Sequence, residues 1–114
     1  MKLSETVKAL GALAQESRLA VFRLLVKRGP KGYTPGELAE KLTVPGPTLS
    51  FHLRELQHAG LVICKREGRF LYYSANFETM HDLVGFLTEN CCSLSDESCD
   101  VQCRPVKQKS RRSA

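Results

Sequence analysis

The residues best suited to chemistry in this sequence are its cysteines. There are five, and four of them fall in one short stretch near the C-terminus: Cys91, Cys92, Cys99 and Cys103. The chain turns polar at Ser4 and carries Glu5, which predicts no signal peptide, so a secreted disulfide scaffold is not expected. In a reducing cytoplasm thiolates stay available as soft ligands. The cluster therefore predicts either a metal or metalloid site or a redox switch.

A second group of residues is suited to contacting nucleic acid. A helix is predicted over residues 47–59, with Leu49 and Leu53 facing the core. An outward Phe51 is costly in water, but in a major groove it can contact a thymine methyl, while hydroxyls and a guanidinium reach base edges or phosphates. We expect DNA contacts from one run of this helix: Pro47, Thr48, Ser50, Phe51, His52 and Arg54. The alternative is that Phe51 folds back into the core and His52 is an ordinary surface residue.

A β-hairpin is predicted directly after that helix. Residues 61–66 and 70–75 are rich in Val, Ile, Phe and Tyr, and Glu67-Gly68-Arg69 joins them. The basic residues near its tip can follow the phosphates beside the groove and supply salt-dependent affinity: Lys65, Arg66 and Arg69. The alternative is a solvated charged turn. Cys64, the fifth cysteine, is expected to pack within the hairpin.

The remaining elements are helices that position these two groups. Apolar periodicity predicts helices over residues 3–15, 17–27 and 77–89, the first with Ser4 as a candidate cap. Thr34-Pro35-Gly36-Glu37 has the capping-box pattern with proline at the first helical position, so a further helix is predicted to start at Thr34. The predicted order is α-α-α-α-β-β-α, a mainly α winged helix-turn-helix with a β-hairpin.

Length and composition are those of one small globular domain with a tail. The chain has 114 residues, 42% of them apolar, and a formal net charge of +5, which suits a polyanionic partner. No apolar run approaches the about 18 residues of a membrane span, so a cytoplasmic protein without membrane contact is expected. We divide the chain into a folded domain at residues 1–90, a cysteine-rich sensor segment at 91–103 and a disordered basic tail at 104–114.

Several segments resemble the ArsR/SmtB family of metal-responsive repressors. They are residues 17–25, Leu49-Ser50-Phe51-His52-Leu53, residues 56–62 and Glu67-Gly68-Arg69, and the resemblance extends over about residues 3–90. It implies a homodimer that binds operator DNA and represses an operon while its sensor site is empty, so residues 1–90 would serve both DNA binding and dimerisation. It also implies an interface between the first and last helices, with these residues: Leu3, Val7, Leu10, Met80, Leu83, Val84 and Leu87.

Members of that family differ in their sensor sites, and one subgroup resembles this chain. Many members bind arsenic through a Cys-Val-Cys sequence on the third helix, but the predicted third helix here has no cysteine. Others bind zinc through Asp and His pairs on the last helix, but His81-Asp82 lacks a second histidine one turn away. Glu89-Asn90-Cys91-Cys92 is similar to members that sense trivalent arsenic through C-terminal cysteines. That similarity implies three sulfur ligands for one arsenic and one alternate: Cys91, Cys92 and Cys99, with Cys103 as the alternate.

Several alternatives to arsenite stay open. Antimonite or a methylated arsenical could be the inducer, and a repressor of the same fold could respond to thiol oxidation, to zinc or to cadmium.

Two adjacent cysteines cannot both lie on one face of a regular helix, so Cys91 and Cys92 are expected at a frayed helix end. An enzyme is not expected, because the sequence has no Cys-x5-Arg phosphate loop, no glycine-rich nucleotide loop and no Cys-x-x-Cys.

Overall fold

Five helices and one hairpin make up the fold. The computed structural model describes residues 1–95, and the predicted order of elements is confirmed. The elements are α1 (Leu3–Leu13), α2 (Glu16–Arg28), α3 (Pro35–Leu42), α4 (Gly46–His58), β1 (Val62–Glu67), β2 (Phe70–Ala75) and α5 (Phe77–Thr88). The predictions for Cys99, Cys103 and the basic tail at 104–114 lie outside the described residues.

The helix starts differ in how well the sequence predicted them. At α3 the capping box is confirmed: the Thr34 hydroxyl accepts from the Glu37 N–H at 3.2 Å, and the Glu37 carboxylate accepts from the Thr34 N–H at 2.9 Å. At α1 the cap predicted at Ser4 is wrong. The helix begins at Leu3, and the Glu5 carboxylate accepts from the Lys2 N–H at 2.9 Å, so Ser4 lies inside the first turn.

The core is built mainly from α2 and α4. Val21 and Leu25 of α2 are fully buried, and so are Leu49 and Leu56 of α4. Leu38 of α3 and residues at the base of the hairpin close the core, together with Leu83 of α5. Because α4 buries only this apolar side, its opposite side stays free for a partner.

The hairpin is fixed to the helical body at its base. β1 and β2 are antiparallel, with Val62 opposite Ala75 and Glu67 opposite Phe70. The Tyr33 N–H donates to the Tyr73 carbonyl at 2.9 Å, and the Tyr33 carbonyl accepts from the Tyr73 N–H at 2.8 Å, which adds a short bridge from the α2–α3 loop. Gly32, at φ +75°, brings the loop so close that a Cβ there would collide with the Tyr73 carbonyl. The tip of the hairpin therefore projects from a rigid base.

Asn76 joins the hairpin, α4 and α5. Its side-chain carbonyl accepts from the Thr79 N–H at 3.2 Å and caps α5, while its amide donates to the Gly60 carbonyl just after α4 at 3.1 Å. Its backbone N–H donates to the Leu61 carbonyl at 2.8 Å. The start of α5 is thus bonded to the end of α4. No helix in residues 1–95 has the length and apolar character needed to cross a bilayer.

Candidate DNA interface and cysteine turn

The outer side of α4 presents a mixed polar and aromatic surface. Five of the six predicted contact residues on this helix are exposed: Pro47, Thr48, Ser50, Phe51 and Arg54. The Phe51 side chain is 47% exposed, so the alternative that it folds back into the core is wrong. Hydroxyl, aromatic and guanidinium groups on one projecting helix are the types that reach base edges and phosphates in a major groove. Their contact with DNA stays a prediction.

His52 is the exception, because it is buried: the alternative that it is an ordinary surface residue is wrong, and a DNA contact from it stays a prediction. The residue is 6% exposed, and its Nδ1 lies 3.5 Å from Nη1 of Arg18 in α2. Burial first, and then the positive charge of Arg18, lower the pKa of His52. The sequence held a signal for this, because position 52 follows Leu49 by three residues and therefore lies on the buried stripe of α4.

The basic hairpin residues are all exposed but do not share one face. None of these side chains is buried against the protein body: Lys65, Arg66 and Arg69. Side chains alternate along a strand, so Arg66 shares a face with buried Val62, while Lys65 lies on the face of Ile63. A phosphate backbone running along one side of the hairpin would meet Lys65 or Arg66, but not both.

The two adjacent cysteines lie in a turn just beyond α5. The helix ends at Thr88, and the Cys91 N–H donates to the Thr88 carbonyl at 3.1 Å. Asn90 and Cys92 have φ of 57° and 64°, left-handed values that reverse the chain direction. The Sγ atoms of Cys91 and Cys92 lie 3.6 Å apart, with Cys91 exposed and Cys92 half-buried. The expected end of the helix before the pair is therefore confirmed.

Two sulfurs at this spacing fit one shared thiophilic centre. A centre with bonds of about 2.3 Å to sulfur can join two sulfurs as far apart as about 4.6 Å. Within residues 1–95 no group of three or more His, Cys, Asp or Glu side chains is placed to hold a metal ion. The turn therefore brings two of the predicted sulfur ligands together, and the predicted third, Cys99, lies beyond the part of the chain that the structure describes.

An apolar surface runs along α1 and α5. Five of the seven predicted interface residues are between 41% and 69% exposed: Leu3, Val7, Leu10, Val84 and Leu87. The prediction for Leu83 is wrong, because this residue is 6% exposed and packs in the core of its own protomer. Met80 is partly buried against the same core. The outward residues form a surface that we call the α1/α5 face.

Known proteins are similar to this chain in sequence and in fold. A family model described as a helix-turn-helix domain matches residues 13–64. The chain is 39% identical over 77 residues to the uncharacterized HTH-type transcriptional regulator YceK of Bacillus subtilis (strain 168), covering 67% of this chain and 76% of that protein. It is 30% identical over 92 residues to the arsenical resistance operon repressor of the same strain, covering 81% and 83%. A solved ArsR-like transcriptional regulator from Rhodococcus sp. RHA1 has a TM-score of 0.71 at 25% identity, covering 80% and 83%.

The similar proteins also distinguish a transcriptional regulator from an enzyme. The related proteins and the fold are those of DNA-binding transcriptional regulators and not of enzymes, as the sequence predicted.

Proposed function

The chain belongs to the ArsR family of transcriptional regulators, and from this premise we propose that it is a repressor that binds operator DNA as a homodimer and is released by trivalent arsenic bound to its C-terminal cysteines. The observation that carries the proposal is the pair of sulfurs, 3.6 Å apart, directly after the helix that bears two of the five exposed residues of the α1/α5 face. A ligand captured there acts on the element that would hold two protomers together.

DNA binding is assigned to α4 and the hairpin. The exposed side of α4 enters the major groove, where Ser50 and Phe51 meet base edges and Arg54 meets a phosphate or a guanine. The hairpin follows the flanking phosphates with its basic tip. In a dimer these elements occur twice, and two reading helices about 34 Å apart would recognise a near-palindrome.

Dimerisation is assigned to the α1/α5 face. Fully burying a Val or Leu side chain contributes about 1.5–3 kcal/mol, so covering ten such side chains that are about half exposed, five from each copy, contributes on the order of 10 kcal/mol before the cost of association. In a homodimer the second copy presents the same face, so a two-fold axis buries the face of each protomer against that of the other. The face is therefore large enough to support an isologous dimer.

Arsenic sensing is assigned to Cys91, Cys92 and Cys99, with Cys103 as the alternate. Trivalent arsenic is thiophilic and takes three sulfurs in a pyramid, and thiolates select such soft centres. The 3.6 Å between the first two sulfurs allows one atom to bond both without a change in the turn. A tetrahedral zinc site would use all four cysteines, and adjacent ligands are unlike the usual zinc spacing of two or more intervening residues.

The relation to the arsenical resistance operon repressor supports the same ligand. That relative is named for the arsenical resistance operon that it represses, and the present chain matches most of its length. Antimonite and methylated arsenicals belong to the same thiophilic class, and a methylated species needs only two sulfurs. The described pair at Cys91 and Cys92 supplies two, so both classes enter the test below.

Release is assigned to α5, which connects the cysteine turn to the DNA-reading elements. The C-terminal end of α5 leads into the turn, and its N-terminal end is bonded through Asn76 to the Gly60 carbonyl, just beyond α4. Drawing three sulfurs together strains or shifts the end of α5 in both protomers. A coupling of about 1–3 kcal/mol is typical between two such sites and lowers operator affinity by about 5–150-fold.

The test is operator release by each candidate inducer. An operator is first selected from a random duplex library with the reduced protein, and fluorescence anisotropy then follows binding in reductant during titration with arsenite, antimonite, a methylated arsenical or zinc. We expect release by arsenite and none by zinc. Release by an oxidant alone, with no response to arsenite in reductant, would replace the proposal with a redox switch.

A further inference from the structure

One arginine connects three helices beside the candidate reading helix. Arg18 lies in the first turn of α2, and its Nε donates to the Ala12 carbonyl, in the last turn of α1, at 2.7 Å. Its Nη1 lies 3.5 Å from Nδ1 of His52, on the buried side of α4. We call this arrangement the Arg18 bracket. Through it the end of α1 and the middle of α4 are joined by a single guanidinium.

Each contact of the Arg18 bracket satisfies a group that would otherwise lack a partner. The Ala12 carbonyl is among the last four of α1, which have no hydrogen-bond donor within the helix, and a positive charge is favoured at that end of a helix. His52 is 6% exposed, so water has little access to its ring. The Gln15 side chain accepts from the Arg18 N–H at 2.8 Å and holds the start of α2 in register with both contacts.

The contact with Arg18 favours the neutral form of His52. An arginine side chain has only donors, so the 3.5 Å contact is a hydrogen bond when Nδ1 accepts, as it does in the neutral ring with its proton on Nε2. Burial first, and then the charge of Arg18, lower the pKa of His52 from 6.5. Arg18 is the one charged group in residues 1–95 whose field shifts that pKa, since α1, α3 and β1, which also pack against α4, contribute no such charge. A protonated ring would face the guanidinium with like charge.

We propose that Arg18 is a positioning residue for DNA recognition, which acts by holding neutral His52 and thereby sets the orientation of α4 against the end of α1. Phe51 is the neighbouring residue on the same turn of α4, and its ring centroid lies 5.9 Å from that of His52. A shift of the His52 ring therefore moves the aromatic side chain assigned to the bases. The inference rests on the proposal that α4 reads the operator and is independent of the arsenic site.

The proposal predicts opposite effects of acid on two kinds of DNA binding. Protonation of His52 breaks the Arg18 bracket, so sequence-specific affinity falls as the pH drops. The same proton adds positive charge beside the DNA, so non-specific affinity for phosphates stays level or rises. A residue that only filled space in the core would change neither affinity with pH.

The test compares three variants. His52→Asn keeps an oxygen acceptor near the position of Nδ1 but cannot be protonated, and Arg18→Met keeps the length of the side chain but removes its donors. His81→Asn is the control, because it removes an exposed imidazole of α5. Anisotropy with the selected operator and with a scrambled duplex is measured at about pH 7.5 and about pH 4.5, the lower value lying well below ordinary histidine titration because the pKa of His52 is lowered. Circular dichroism at both pH values verifies that each variant is folded.

For the wild type we expect operator affinity to fall at least about 10-fold in acid, the loss typical of a hydrogen bond to a charged group, with no fall for the scrambled duplex. His81→Asn should behave like the wild type, and His52→Asn should lose less than about 2-fold. Arg18→Met should bind the operator about 10-fold more weakly at neutral pH, with little further loss when His52→Asn is added.

Two results would overturn the proposal. One is the same acid dependence in wild type and His52→Asn, or none in the wild type. The other is unchanged operator affinity in folded Arg18→Met. Should Arg18→Met not fold, Arg18→Lys replaces it, since lysine keeps the charge but cannot hold both partners in a planar fork, and unchanged affinity there would also overturn the proposal. A wild type that selects no operator at neutral pH would contradict the proposed function instead.

Discussion

Replacing Phe51 by alanine separates base recognition from simple attraction to DNA. The side chain is 47% exposed, so roughly half of its apolar surface is buried in the protomer. A fully buried Phe→Ala change costs about 3–5 kcal/mol, so for a side chain that is about half buried we expect the free energy of unfolding to fall by about 1.5–2.5 kcal/mol. One base interaction is worth about 1–3 kcal/mol, so a dimer in which neither reading helix carries the phenylalanine should bind its operator about 2–6 kcal/mol more weakly.

The assay is anisotropy with the selected operator and with a scrambled duplex of equal length. Because a phenylalanine makes no charged contact, the affinity for the scrambled duplex should change little. Phe70→Ala is the matched control, since Phe70 is 55% exposed on the hairpin and is not expected to reach base edges. It should leave the ratio of specific to non-specific affinity unaltered. Equal losses on both duplexes for Phe51→Ala would refute base reading by α4.

Three further changes test the other surfaces. Arg69→Ala should reduce the slope of log affinity against log salt by about 2 in the dimer, because each phosphate that is no longer neutralised accounts for about 0.9. Only one of Lys65→Ala and Arg66→Ala should have a comparable effect, because the two side chains lie on opposite faces of the hairpin. Equal effects of these two variants would contradict that geometry. Val84→Asp or Leu87→Asp should give monomers in sedimentation velocity, because each puts a charge into the proposed interface. Ile63→Asp, which changes an exposed apolar residue of β1, should stay dimeric. If all three variants stay dimeric, the α1/α5 face is not the interface. Cys64 is half-buried opposite Tyr73 in the hairpin, so Cys64→Ser, which puts a polar hydroxyl into that packing, should lower the midpoint of thermal unfolding by a few degrees, for a loss of about 1 kcal/mol, and leave arsenite release intact. Loss of release would give Cys64 a role in sensing.

The parts of the fold that depend on local sequence were predictable. The capping box at Thr34 fixed the start of α3, and the three- and four-residue spacing of Leu49, Leu53 and Leu56 fixed the buried side of α4. Both are short-range rules that need no knowledge of the neighbouring helices. The vicinal cysteines likewise predicted the end of α5 before Cys91.

The residues that sequence reasoning missed depend on distant contacts. His52 was expected either at the DNA or as an ordinary surface residue, yet it is buried against Arg18, 34 positions earlier in the chain. Leu83 and Val84 are adjacent and both apolar, and only the packing of α5 on the core separates the buried residue from the exposed one. A hydrophobic pattern marks surfaces that avoid water, but it does not distinguish a core from an interface between copies.

The proposed sensing mechanism is tested most directly by arsenite release of the operator in single cysteine variants, measured in reductant. Serine replaces a soft sulfur with a hard oxygen, so Cys91→Ser and Cys92→Ser should bind the operator like the wild type and fail to release it with arsenite. Cys99→Ser should also fail, whereas Cys103→Ser and the control Cys64→Ser should respond normally. A normal response of Cys99→Ser together with failure of Cys103→Ser would show that the third ligand is misassigned. Normal release in both Cys91→Ser and Cys92→Ser would contradict arsenic sensing at this turn.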